Sequence, residues 1–373
     1  MNSRRNIIIG AILLVVMTFV LTAGGALYLF DQMVPDSNGA LKLMRAVDVV
    51  RSRYIEVVPI ETLMNGAIKG MVNSLNDPYS IYMDAKMYKE FRMETEGSFS
   101  GVGIVISMKD KQLTVVSPIE GTPGEKSGIR SGDQIMKIDG KDTKDLALDE
   151  AVGKIRGKEG TDVTLTVRRG ETVKDYKLTR ANIQIKTVSS RMLPEKIAVI
   201  RLSMFNEQTA GEFYKQYEAM EAQGMKAMVL DLRDNPGGLL DSSVRVSGKL
   251  VPKGPVVSVV TRDGETEVHR SELAQVKYPL VVLVNGGSAS ASEIVAGAVQ
   301  DTGAGTLIGT KTFGKGSVQS IVKLSTDTAI KLTIAKYATP KNRFINGIGI
   351  EPDIKWKIRK IKMAQRHVRA DYR

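Results

Sequence analysis

The chain has 373 residues, 42% hydrophobic and 25% charged, with no cysteine and only two histidines, His269 and His367. That composition excludes disulfides, a thiol nucleophile and Cys-ligated metal, and two widely separated histidines give no basis for a His-ligated metal. The net charge of +12 is concentrated at the ends: Lys355 to Arg373 holds eight Lys/Arg against one acid, and Arg4 and Arg5 add two more, so the nearly balanced body argues against a nucleic-acid partner.

The first element is apolar. From Ile7 to Phe30 no residue is charged, and a helix of that length spans about 36 Å at 1.5 Å per residue, enough to cross a bilayer. Arg4-Arg5 on its N-terminal side should remain cytoplasmic, which places everything after residue 31 outside. The small residues at 23–26 would suit a cleaved signal peptide, but the apolar run continues to Tyr28 and Phe30 and favours an uncleaved signal-anchor. The expectation is a single-pass protein of the cytoplasmic (inner) membrane with its body on the extracytoplasmic side. The basic tail is then a solvated end or a contact for anionic lipid.

Apolar residues at helical spacing predict helices over 37–56 and 61–74, the second broken by Asn76-Asp77-Pro78, and a third over 86–96. This region, 37–96, is small for a core of its own and should pack on something else or form a homodimer. From 97 to about 180 the pattern becomes short β-rich runs with turn signals: strands at 102–108, 112–116, 135–138 and 163–167, turns at 121–124, 131–133 and 139–140, and a helix over 148–155 ending near Arg156. From 181 to 354 strands and helices alternate. Strands are expected at 197–202, 227–231, 256–261, 266–270, 280–284, 306–309, 317–322 and 330–335, and helices at 207–223, 240–250 and from Ala291 to Gln300. That alternation predicts an α/β layer around a largely parallel sheet.

Three segments carry the chemistry. Val284 to Glu293 (VNGGSASASE) leaves an apolar strand and enters a helix, so its hydroxyls sit where backbone N–H groups are unpaired and the helix dipole favours negative charge. Ser290 is the candidate nucleophile, though it also fits a capping box with Glu293, and spacing alone does not choose among Ser288, Ser290 and Ser292. Lys311 to Gln319 (KTFGKGSVQ) offers Lys315 as the base, since histidine is scarce. To act it must be largely neutral, a drop of about 2–3 units from about 10.4. Gln319 could hold the neutral amine in line. Asp231 to Gly238 (DLRDNPGG) forms a tight turn with N–H groups suited to an oxyanion hole, or simply a hinged loop. Gly101-Val102-Gly103-Ile104 could present N–H groups to a peptide carboxylate, or form a β-bulge.

Taken together, 231–238, 284–293 and 311–319 resemble the carboxyl-terminal processing peptidases, the tail-specific proteases. The middle unit, with Gly101 to Ile104, Pro118 to Gly124, Ser131 to Ile135 and Ile138 to Gly140, resembles their PDZ domain. The likeness covers about 40–354. It implies a crotonase/ClpP-like protease core at 181–354 with a largely parallel mixed sheet, an inserted PDZ β-barrel at 97–180, a helical region at 37–96 behind the transmembrane helix at 1–30, and a basic tail at 355–373. It also implies Ser290 as nucleophile, Lys315 as general base, Gln319 as its assistant, and oxyanion donors at the N–H groups of Ala291 and Gly237. No metal or cofactor is implied. Substrate tails would seat their carboxylate at Gly101, Val102, Gly103 and Ile104, and Arg156 would sense them. Gly124 departs from the alanine usual in the family, which puts little in doubt. The expected function is a membrane-anchored serine endopeptidase acting on protein C-termini. The alternatives are a non-catalytic, membrane-tethered PDZ adaptor and a binder of a small apolar ligand.

Overall fold

The computed structural model of the protein describes residues 2–33, 37–109 and 112–356. The basic tail beyond Trp356, with His367, and the turn residues Asp110 and Lys111 lie outside the described residues. The chain divides into two compact units, Met1–Tyr82 and Met83–Arg373.

In the first unit α1 runs Asn2–Met33, α2 Ser37–Arg53 and α3 Ile60–Asn73. Where α1's side chains are described they are largely exposed, among them Ile12, Leu14, Phe19 and Leu21. Among the described residues no helix is long and apolar enough to cross a membrane. The side chains of residues 7–9, 26–27 and 29–30 within the expected span lie outside the described set. The fold thus gives the expected anchor no support of its own. α2 ends three residues short of the predicted boundary, and a short strand β1, Ile81–Met83, had no signal in the sequence.

The second unit begins with α4, Ala85–Glu96, capped by Asp84, whose carboxylate accepts from Met87 N–H, and closed by Gly97 in the left-handed region. The sequence reading placed this helix with the N-terminal region; it belongs with the second unit. Next come β2 Ser98–Gly101, β3 Ile104–Lys109, β4 Gln112–Pro118, the single turn α5 Pro123–Lys126, β5 Gln134–Ile138, β6 Lys141–Asp142, α6 Leu148–Ile155, β7 Asp162–Arg169, β8 Thr172–Thr179 and β9 Ala181–Gln184. β3-β4-β5-β7-β8 make one antiparallel sheet around a core that includes Leu113, Ile135, Leu165 and Leu178. β2 pairs antiparallel with β9, so the chain enters and leaves this small domain side by side, as an insertion requires. The first strand of the sheet starts at Ile104 rather than at Val102, because Gly103 turns the backbone at φ 73°. The domain does not close with β7, as the sequence suggested. β8 follows as an edge strand, exposed over 172–175, with the half-buried Tyr176 and the buried Leu178 marking its inner face.

The remainder holds β10 Val188–Leu193, β11 Ile197–Leu202, α7 Thr209–Ala222, β12 Ala227–Asp231, α8 Leu240–Ser247, β13 Gly254–Thr261, β14 Thr266–Ser271, β15 Leu280–Val284, α9 Ala291–Thr302, β16 Thr306–Gly309, β17 Ser317–Lys323, β18 Ala329–Ala338 and β19 Ile354–Lys355. The sheet β10-β11-β12-β15-β16-β19 is parallel from β11 onward, with β10 antiparallel at its edge. A second, antiparallel sheet contains β17, β18, β13 and β14. α7 places Ala210, Phe213, Tyr217 and Met220 on one buried face at helical spacing. α9 is buried on all sides from Ala291 to Val299, which its Ala, Ser and Gly residues permit: a Cβ added at Gly297 would come 2.8 Å from Thr339 Cγ2.

Candidate active site

Topology brings the three segments together. β12, β15 and β16 are adjacent and parallel, so their carboxyl ends release 231–238, 285–290 and 310–316 from one edge of the sheet. Ligands of open parallel sheets gather at that edge. A cavity of about 230 Å³ opens there, and Ser290, Lys315 and Gln319 all line it together with Ala291 and Gly238. Apolar walls come from Phe91, Met204, Leu240, Ile294, Val318 and Ile321. His269 lies elsewhere, on β14, 3.5 Å from Glu267.

The three serines differ in their surroundings. Ser288 is fully buried and donates to Leu232 O at 2.8 Å, and Ser292 is fully buried and donates to Asn235 O at 2.9 Å. Ser290 faces the cavity at φ 53°, ψ −115°, a conformation that costs a non-glycine residue about 1–3 kcal/mol. The anticipated capping box pairs Ser290 with Glu293: Glu293 Oε2 accepts from Ser290 N–H at 2.9 Å, and Glu293 N–H turns back to Ser290, with its carbonyl oxygen at 2.7 Å. The helix start is satisfied through the glutamate and the backbone.

Glu293 does more than cap. It is fully buried, and its carboxylate also accepts from Thr312 Oγ1 (2.6 Å), Gly314 N–H (2.8 Å) and Lys315 N–H (2.8 Å). A buried carboxylate surrounded by four donors is compensated, and here it ties the loop of the lysine to the helix of the serine. Gln319 Nε2 donates to Ser317 Oγ at 2.8 Å and to Thr333 Oγ1 at 3.4 Å, which orients the amide across the cavity wall.

The Pro-Gly-Gly turn differs from expectation. Gly237 is buried, and its N–H donates to Asn235 Oδ1 at 2.9 Å; the exposed Gly238 lines the cavity instead. Gly237 is nevertheless required for the close approach of the two segments. At φ 103° an added Cβ would lie 2.8 Å from Ser290 Cβ and 2.9 Å from Ala291 N. Asn235, also fully buried, locks the turn: its Nδ2 donates to Leu202 O, and its carbonyl accepts from Ala289 N–H and Ser292 Oγ. Behind it, Asp231 binds Arg201 and Arg233. Burial alone would raise this carboxyl, but the hydrogen bonds and charges of Arg233, with the charge of Arg201, outweigh it and hold the group below the usual carboxylate range.

Lys331, on β18, had no sequence signal. It lines the cavity with Glu94, and its Nζ sits 5.8 Å from the centroid of Phe91. Burial lowers its proton affinity, opposed by the charge of Glu94. Tyr337 was equally unforeseen. Its hydroxyl donates to Ser290 O at 3.0 Å and Lys315 O at 2.7 Å.

In the inserted domain Gly101, Val102 and Gly103 are buried. Thr122 covers Gly103 and donates to its carbonyl at 3.1 Å. Ile104 is half-buried and starts β3. The chain's own residues cover this predicted carboxylate seat. Gly124 matters more than its small departure suggested: a Cβ there would meet Ile104 Cγ2 at 2.6 Å and Val102 O at 2.9 Å. Among the described residues Arg156 makes no ion pair. Its guanidinium stacks on Phe99 with Cζ 4.6 Å from the ring centroid, and Nη1 lies 3.3 Å from Met93 Sδ on α4.

Comparisons with known proteins agree along the chain. Residues 196–356 match peptidase family S41, residues 90–168 match the PDZ domain, and residues 30–87 match the N-terminal domain of the activating protease CtpB. The chain is 41% identical to the carboxy-terminal processing protease CtpA of Bacillus subtilis, over 84% of this chain and 68% of that protein. It is 43% identical to a carboxy-terminal-processing protease of Bartonella bacilliformis, over 86% and 76%. Among solved structures, the photosystem II D1 C-terminal processing protease aligns with a TM-score of 0.50 at 30% identity, covering 85% of this chain and 92% of that one.

Proposed function

The chain belongs to the carboxy-terminal processing serine peptidases of family S41, and from that premise we propose that Ser290, Lys315 and Gln319 are its catalytic residues. Family membership removes the adaptor and apolar-ligand alternatives as descriptions of the whole chain. One observation carries the residue assignment: of the three hydroxyls in the segment, only that of Ser290 faces the cavity that Lys315 also lines.

In this reading Lys315, desolvated by the apolar wall, takes the proton of Ser290 Oγ, which attacks the scissile carbonyl. The Ala291 N–H at the start of α9 and the N–H of Gly238, a residue that lines the cavity, receive the oxyanion; Gly238 replaces Gly237 because the latter's N–H is already engaged. The acyl group on Ser290 then passes to water, with Lys315 returning the proton. Gln319, oriented by Ser317, holds the amine in line.

The PDZ domain implies protein substrates. Binding of a C-terminal tail would use the N–H groups at Gly101 to Ile104, beside Thr122, which packs on Gly103 and donates to its carbonyl. Arg156 couples that seat to the active site, since it touches α4, which also supplies Phe91, Glu94 and Thr95 to the cavity. The division into 1–30, 37–96, 97–180, 181–354 and 355–373 goes with this reading, save that α4 falls in the second compact unit. Anchoring through the N-terminal helix, with the body on the extracytoplasmic face of the cytoplasmic membrane, also belongs to it. Its support is the uncharged run from Ile7 to Phe30 behind Arg4-Arg5. A homodimer through the N-terminal helices is part of the same reading.

The test is cleavage of an unfolded protein with an apolar C-terminus by the full chain in detergent, beside Ser290→Ala and Lys315→Ala. Both variants should lose at least about a thousandfold in kcat while melting normally. Cleavage surviving Ser290→Ala would end the assignment. Alkaline extraction of membranes from expressing cells, with protease added to spheroplasts, checks the anchor and the side on which the body lies.

A further inference from the structure

Ser290 and Lys315 are each held by both their peptide groups, and the same two side chains do the holding. Glu293 Oε2 accepts from both N–H groups, at 2.9 Å and 2.8 Å. The Tyr337 hydroxyl donates to both carbonyls, at 3.0 Å and 2.7 Å. One O–H proton shared between two acceptors is a bifurcated bond. The shorter arm reaches Lys315.

The two ends of that bridge differ in what they need. Ser290 O already accepts from Glu293 N–H at 2.7 Å and Ile294 N–H at 3.0 Å, so the first turn of α9 fixes it without help. Lys315 lies between Gly314 and Gly316 in a segment without helix or strand, where the chain has little intrinsic register. We infer that Tyr337 is a positioning residue: its hydroxyl sets the backbone of Lys315 against that of Ser290, so that the base meets the nucleophile. The inference rests on the Ser290–Lys315 reading above.

Several facts favour this over a core tyrosine that merely finds an acceptor. Tyr337 is 1% exposed, and its own N–H donates to Gly316 O at 3.0 Å, so ring and backbone both hold the lysine loop. Burial, then the nearby charge of Glu293, pushes the hydroxyl well above its ordinary pKa, so it remains a donor at any working pH. The other charged groups of the cavity are Glu94 on α4 and Lys331 on β18.

The experiment is Tyr337→Phe in the full chain, which removes one oxygen and keeps the ring. It is assayed at a temperature where near-ultraviolet circular dichroism shows variant and parent equally folded. The expected result is a fall in kcat of about tenfold to a hundredfold with KM within about twofold. The acid limb of the kcat/KM profile should also move to higher pH, because a lysine released from its register is better hydrated and harder to deprotonate. Replacing Tyr337 with para-aminophenylalanine, which restores a donor at the same place, should recover much of the loss. An unchanged kcat, an unmoved pH profile or a failed rescue would each overturn the inference. Ser290→Ala and Lys315→Ala run beside it: turnover surviving in either sinks the underlying reading, whereas their inactivity with a fully active Tyr337→Phe sinks only the role given to Tyr337.

Discussion

Asp231 shows how much of this site is held from behind. It ends β12 with a side chain 6% exposed, binding Arg233 Nε and Nη2 at 2.8 Å and Arg201 Nη1 at 2.9 Å. The two arginines are 34% and 41% exposed, so solvent screens part of the attraction. The carboxyl sits below its ordinary value when folded. A depressed acid stabilises the fold above its unfolded pKa of about 3.9 and loses that contribution as pH falls through the folded value. Asp231→Asn should therefore cost about 1–2 kcal/mol at pH 7, with the gap between the two proteins closing below about pH 4. Thermal melts of both proteins from pH 3 to 7 measure it, and a gap constant with pH would refute the electrostatic account. Activity should fall too, because the same turn carries Asn235 and the Gly237 approach to Ser290.

At the scale of elements, α5 and the start of β3 meet through Gly124, whose N–H donates to Val102 O at 2.7 Å. Alanine there would press on Ile104 and on that carbonyl. Gly124→Ala should destabilise by about 1–3 kcal/mol, the usual range for overpacking, and weaken binding of a C-terminal peptide. Calorimetry of the melt and a peptide titration would detect both, and an unchanged melt together with unchanged affinity would show that the domain yields freely. The resemblance made the glycine look a small departure, but the sequence could not show that Ile104 occupies the space an alanine methyl would take. Elsewhere the elements were legible where one buried face repeats, as in β12, β15 and α6, whose bounds match the expectation. They were not legible where a strand is mostly solvated, as in β8, or where pairing alone defines it, as in β9 and β10. Ser290, Lys315 and Gln319, which the fold brings to one cavity, could be singled out because each sits in a glycine- or serine-rich segment of recognisable order. That Tyr337, Lys331 and the helix predicted over 86–96 line the cavity was not legible, because their place there comes from tertiary packing, not from local pattern.

The inserted domain and the protease core, both in the second unit, meet at α4. This helix presents Met93 to Arg156 and, within two residues on either side, Phe91, Glu94 and Thr95 to the cavity. Phe99 and Arg156 pack beside Gly101, where an added Cβ would lie 3.3 Å from the Phe99 ring and 3.6 Å from Arg156 Cγ, so a tail seated at Gly101 to Ile104 would lie next to both. Arg156 is half-buried, and burial lowers its proton affinity against the charge of Glu90, so its stack on Phe99 substitutes for lost water. A two-state element that both sites bias is the requirement for coupling, and α4 touches both. Arg156→Ala should leave basal cleavage of a tail-less substrate within about threefold and abolish most of the stimulation by a tail, whether attached or supplied as a separate peptide. Arg156→Lys should behave nearly as badly, because an ammonium keeps the charge but loses the planar stack on Phe99. Initial rates on tailed and tail-less versions of one unfolded substrate, for the parent and both variants, separate the cases. Full stimulation in Arg156→Ala would free α4 from any part in the signal, and equal loss of basal and stimulated rates would make the arginine a structural prop for the helix and not a sensor.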